Sequence, residues 1–214
     1  MSMNYEEFKS KVVNRPLIDV KLLKLEGFYT HSLKVQIRRW CKKEKIIKLR
    51  NNLYILKETD RKINPSRLFI SNELYKPSYI SNEYALSFYG IIPERVTDIT
   101  SVTPKKTMIF KNKLGRFIYQ HIKQNCFTGF IEQKDEAGLS FLISIPEKAV
   151  VDFLYLNSDR FKYDFENTLV DSFRFQNLSG LDNKLLLKYC DLFKFYKLKL
   201  IVNALIKIKR GKNV

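Results

Sequence analysis

The stretch from Thr30 to Leu56 changes its periodicity once, and that change limits the fold more than any other feature. From Ser32 to Lys43, residues Leu33, Ile37, Trp40 and Cys41 fall on one side of a helical wheel of about 100° per residue. Ser32, Val35, Arg38, Arg39 and Lys42 fall on the other side, and His31 joins them at the helix start. Lys45–Leu49 and Leu53–Leu56 are then two short β-type runs around Arg50-Asn51-Asn52. Asn tolerates positive φ, so this turn reads as a hairpin. Upstream, Tyr5, Phe8, Val12 and Val13 mark a short helix that Pro16 stops. Asp19 suits the N-cap of a second helix over Val20–Leu25, Gly27 ends it, and Thr30 or Ser32 caps the third.

Three helices followed by a hairpin is the order of a winged helix-turn-helix, expected over residues 1–60. Charge gives that unit a direction. The chain carries 39 Lys and Arg against 22 Asp and Glu, a net +17, and between Gly27 and Lys57 Glu44 is the only acid. A field of that sign gathers phosphate-bearing ligands. A helix in the major groove of double-stranded DNA needs a buried seam and a cationic, hydrogen-bonding face. On that reading Arg38 and Arg39 suit guanine edges, and Ser32 and Gln36 suit phosphates or base edges. Val35 suits a thymine methyl, Lys42 adds charge, and His31 is a cap-region or phosphate contact. Along the hairpin Lys45, Lys48 and Arg50 carry charge, with Asn51 and Asn52 at the tip. Phosphate contacts there would add affinity without sequence information. Trp40 and Cys41 are expected in the core.

Polar Glu58–Asn64 reads as a linker to a second unit over residues 61–214, α+β in class with a helical C-terminal tail. A helix capped by Ser81 runs over Glu83–Tyr89. Strand-like runs follow at Ile99–Thr103, Thr107–Phe110, Arg116–Ile122, Phe127–Ile131 and Leu139–Ile145, and Pro146 opens a helix. Catalytic chemistry is sparse. Cys41, Cys126 and Cys190 are far apart, His31 and His121 are the only histidines, and the seven glycines are too dispersed for a phosphate-cradling loop. No metal, cofactor or catalytic residue is implied, and no apolar run reaches membrane-spanning length, which suits a cytoplasmic protein. Asp135-Glu136 reads as a hairpin tip, and Glu147, Lys148 and Asp152 as solvated charges at the start and outer face of a helix. A metal-dependent nuclease remains the alternative among the carboxylates of the middle portion. In the tail, Lys197, Lys199, Lys207, Lys209, Arg210 and Lys212 either extend a DNA footprint or solvate a helix that packs through Leu198, Ile201, Val202, Leu205 and Ile208.

Several segments resemble one family. Tyr79-Ile-Ser-Asn-Glu-Tyr-Ala-Leu-Ser-Phe-Tyr-Gly-Ile-Ile-Pro-Glu94 is similar to the Y-[IV]-S-x-x-x-A-L-x-x-x-G-L-I-P-E segment of the AbiEi antitoxins of AbiE abortive-infection systems. Ile99–Thr103, Gly115–Ile122 and Phe127–Phe130 follow in order, and Ile145-Pro-Glu-Lys-Ala-Val-Val-Asp152 resembles A-x-P-E-K-A-L-L-D. The resemblance covers about residues 79–156, and the Lys- and Phe-rich tail after Asp164 matches no motif of the family. It implies a transcriptional autorepressor that binds inverted repeats in its own promoter. It further implies the antitoxin of a genetically linked nucleotidyltransferase-like toxin, generally without stable toxin binding. An antitoxin acting by direct toxin contact is the variant of that reading.

Overall fold

The computed structural model describes residues 3–28, 30–162 and 164–211, over which the chain is mixed α+β with nine α-helices and two β-sheets. Helix α1 (Tyr5–Val12) begins where the Asn4 side chain accepts the Glu7 N–H, and it buries Tyr5, Phe8 and Val12. A short strand β1 (Ile18–Asp19), not foreseen from the sequence, leads into α2 (Val20–Leu25), which Asp19 caps by accepting the Lys21 N–H. Thr30, rather than Ser32, caps α3 (His31–Lys42), its hydroxyl accepting the Leu33 N–H at 3.1 Å. Strands β2 (Ile46–Arg50) and β3 (Leu53–Leu56) form the hairpin, with Asn52 at φ 64° in the turn. β1 adds beside β3, giving an antiparallel sheet in the order β1-β3-β2.

The hairpin is shared between two apolar cores. Ile46 and Leu56 pack with Phe8, Leu23, Leu33, Ile37 and Trp40. Leu49, Leu53 and Ile55 belong instead to the larger cluster that runs through the rest of the chain. Alternate strand residues point to opposite faces, so one ribbon can seal both. The pairing slips by one residue along β2, where Lys48 faces Tyr54 but Arg50 faces Leu53. Such a bulge puts Leu49 and Arg50 on the same side and re-aims the arginine. The expected linker is also folded down. Glu58–Asp60 makes a single 3₁₀ turn, Asp60 accepts the Tyr5 hydroxyl at 2.7 Å, and the Lys62 N–H donates to Val13.

A helix that the sequence reading did not anticipate, α4 (Arg67–Leu74), opens the larger unit. It is followed by β4 (Tyr79–Ile80), α5 (Asn82–Phe88), β5 (Ile99–Thr103), β6 (Met108–Asn112), β7 (Gly115–His121), β8 (Phe130–Lys134), β9 (Ser140–Ser144) and α6 (Pro146–Leu156). The sheet order is β6-β7-β5-β4-β9-β8, with β5–β7 and β4–β9 parallel and the other pairs antiparallel. Ser71 of α4 meets Ser101 and Tyr119 on one face of this sheet, while Thr100 accepts the Tyr84 N–H of α5 on the other. Helices α7 (Phe165–Asn167, continuing as a π-helical turn to Ser172), α8 (Asn183–Leu192) and α9 (Tyr196–Gly211) complete the described chain. Asp135 does sit in the β8–β9 turn, where it accepts the N–H groups of Ala137 and Leu139 and ties the turn to Ser66.

Glu147, Lys148 and Asp152 are not solvated. Helix α6 touches α5, α8, α9 and β9, so it has no broad face left for water. Lys148 and Asp152 are both 0% exposed and form an ion pair within the helix. The other Asp152 oxygen accepts the Tyr79 hydroxyl at 2.9 Å and the Ser81 hydroxyl at 2.8 Å. Burial and the neighbouring Asp152 charge push the Tyr79 phenol well above its ordinary range. Glu147 accepts the Asp182 N–H and so holds the start of α8. Gly129 lies against this centre at φ 77°, and a Cβ there would meet Tyr189 and the Lys148 stem at under 3.0 Å. A buried ion pair is tolerable only when its remaining hydrogen-bonding capacity is used, which is the service Tyr79 and Ser81 perform.

Candidate nucleic-acid interface

Helix α3 is held by its apolar seam. Leu33, Ile37 and Trp40 are buried, and Trp40 packs against Tyr5 and Phe8 at ring-centroid distances of 5.4 and 5.0 Å. His31, Ser32, Arg38, Arg39 and Lys42 are exposed, and Val35 and Gln36 are half-buried. These expected contact residues do not form a single patch. Lys34, Arg38, Cys41 and Lys42 line a groove between α3 and the hairpin, completed by Lys48, Asn51, Asn52 and Tyr54, with a volume of about 540 Å³. Gln36, Arg39 and Lys43 line a separate hollow of about 490 Å³ with Asn4, Tyr5 and Trp40, and Lys42 borders both. His31 and Ser32 stand at the N-terminal end of α3, outside the lining of either hollow.

Four cations therefore surround the first groove, and its lining among the described residues contains no carboxylate. Glu44, the one acid of this stretch, pairs instead with Lys113 of the β6–β7 turn. Cys41 is half-buried, packing against the core that holds Trp40 while also lining the groove wall. Burial still raises its thiol pKa, against a lowering by Lys48. Lys34 was missed in the sequence reading, although Lys34, Arg38 and Lys42 are spaced four apart and so share one helix edge.

Arg50 is the expected contact that the structure moves farthest. Its Nε donates to the Leu74 carbonyl and its Nη1 to the Asn51 carbonyl, each at 2.9 Å, so the guanidinium lies against the end of α4. The cause is the bulge, which turns Arg50 away from the face that Lys48 occupies. In the tail, Lys199 pairs with Asp191, Lys207 pairs with Glu166, and Lys209 donates to the Leu181 carbonyl. Leu198, Ile201, Val202 and Leu205 are buried, as the packing alternative for this helix requires; Lys212 lies outside the described residues.

Among the described residues no group of three or more His, Cys, Asp and Glu is placed to hold a metal ion, and no helix is long and apolar enough to cross a membrane. The Lys148–Asp152 pair has no solvent access. No family model matches the chain, and no curated protein matches it.

Proposed function

We propose that the N-terminal helices and hairpin form a winged helix-turn-helix that binds double-stranded DNA, with α3 as the recognition helix and the Asn51-Asn52 tip as the wing. The observation that carries this reading is the acid-free groove in which Lys34, Arg38, Lys42 and Lys48 converge beside two asparagines. The element order supports it, since three helices precede an antiparallel hairpin and the helix before the hairpin keeps its polar face outside. Cations on both groove walls can follow a phosphate strand while Arg38 and Val35 reach base edges. Resemblance to the AbiEi segments extends the proposal. The chain acts in the cytoplasm as an autorepressor on inverted repeats in its own promoter, and as the antitoxin of a linked nucleotidyltransferase-like toxin. Two of those segments meet at one place, where Tyr79 and Ser81 hydrogen-bond Asp152, so their role is in building the scaffold.

The test is an electrophoretic shift on the DNA upstream of the chain's own operon, repeated over a salt series. Retardation of that DNA over a scrambled duplex is expected, with affinity falling steeply as salt rises because neutralised phosphates release counterions. Arg38→Ala should weaken binding and relax sequence preference, whereas Lys48→Ala on the hairpin wall should lower the log–log salt slope by about 0.9. No retardation, or an unchanged shift with Arg38→Ala, overturns the assignment of α3. Co-expression with the neighbouring gene product then tests antitoxicity, read as rescue of growth.

A further inference from the structure

We propose that Arg50 is a positioning residue for DNA binding, one that fixes the hairpin tip to the larger unit without itself touching DNA. The inference rests on the DNA-binding reading above. Arg50 carries a charge and sits one residue before the tip, which is the ordinary location of a phosphate contact. Two of its five donors are nevertheless committed inside the protein, Nη1 to the Asn51 carbonyl and Nε to the Leu74 carbonyl, which turns the guanidinium toward α4.

The surroundings show what this bridge does. The tip is held from two sides: the Asn51 carbonyl accepts from Arg50, and the Asn52 carbonyl accepts from the Val20 N–H at 3.0 Å. One tie leads to α2 and the other to α4, so the tip is triangulated between the two cores. Two neighbours reinforce the second tie. Asn112 donates to the Leu49 carbonyl at 3.2 Å, and Lys113 pairs with Glu44 at the foot of the hairpin. Asn51, Asn52 and Lys48 form the hairpin wall of the cationic groove. A wall that is free to swing must be ordered each time DNA binds, and that ordering lowers affinity. A wall already clamped to a packed sheet avoids the cost. The guanidinium suits this task better than an ammonium because its planar fork reaches two carbonyls in one fixed geometry.

The experiment compares Arg50→Lys, Arg50→Ala and Lys48→Ala by equilibrium binding to the upstream DNA across about 50 to 200 mM salt. Both Arg50 variants should bind about tenfold more weakly, the order expected for losing a charged hydrogen bond, with the salt slope of the unaltered protein. Lys48→Ala, on the hairpin wall of the groove, should lower the slope by about 0.9. Hydrogen exchange of the Val20 amide in the free protein supplies the second readout, and it should quicken in both Arg50 variants. Full affinity in Arg50→Lys overturns the proposal, because a simple phosphate contact would survive that change. So does a slope lowered by about 0.9 in Arg50→Ala, the mark of a lost phosphate contact, or unaltered Val20 exchange. An unaltered protein that binds no DNA refutes the DNA-binding reading itself, a result separable from normal binding by the Arg50 variants.

Discussion

Helices α3 and α6 are of similar length, 12 and 11 residues, and both carry charge, yet they put it in opposite places. Along α3 each buried residue is separated from the next by two or three residues that are not buried, all polar but Val35, so a broad face remains for water. Along α6, Ala149, Val150, Val151, Phe153 and Leu154 surround the charges and are all buried. A helix apolar all round is a core helix, and whatever polar residues it carries must find partners inside. Lys148 and Asp152, four residues apart on one helix edge, find each other. The charges of α3 are thus available to a ligand, whereas those of α6 are committed to the fold.

The largest effect expected from this contrast lies in α6. Lys148→Met or Asp152→Asn leaves one buried group without its counter-charge, and each should cost about 3–5 kcal/mol of stability. The measurement is denaturant unfolding, read at the midpoint. The double variant Lys148→Met/Asp152→Leu removes both charges and should recover much of that loss, since paired buried charges gain little over apolar residues of similar volume. A double variant as unstable as the sum of the singles would mean that the two charges are not coupled, and that α6 depends instead on their separate contacts, such as those of Asp152 with Tyr79 and Ser81.

What was legible in the sequence follows the same physics. The caps at Asp19 and Thr30, the seam of α3 and the hairpin turn are local, set by residues within a few positions of one another, and they occur where the sequence places them. The burial of α6 is also legible, because Ala149, Val150, Val151, Phe153 and Leu154 point to most sides of the helix and leave its three charges no broad polar face. The same holds for the hairpin. Ile46-Ile47 and the run Leu53–Leu56 are too continuously apolar for a ribbon with one wet face, and both faces are covered. The bulge that turns Arg50 inward could not be read, because a one-residue slip is decided by packing against α4 and β6 and leaves no local signature. Helix α4 escaped for a related reason. Its Ser71 and Asn72 are buried and satisfied by distant partners, so its pattern is not that of an amphipathic surface helix.

An intermediate effect is expected at the start of α3. Thr30→Ala removes the acceptor for the Leu33 N–H, a change worth about 1 kcal/mol at a helix N-cap. Thermal unfolding should show the lower stability. DNA affinity measured well below the melting temperature should change much less than in Arg38→Ala, because the groove cations stay in place. A loss of affinity as large as that of Arg38→Ala would mean that the N-terminal turn, with His31 and Ser32, is itself part of the contact surface.

The smallest effect on stability should come from the residues with the largest role in binding. Arg38→Ala/Lys42→Ala removes two exposed cations from a face that holds no acid, so no stabilising ion pair is lost and some repulsion among Lys34, Arg38, Lys42 and Lys48 is relieved. Exposed substitutions of this kind stay within about 0.5 kcal/mol, and here the sign should lean toward stabilisation, most visibly at low salt where surface charges are least screened. Melting temperatures of the double variant and the unaltered protein should therefore converge as salt is raised. A double variant that melts clearly lower at every salt concentration would show these side chains packing within the fold. The cations of α3 would then resemble those of α6, held for structure and not kept for a ligand.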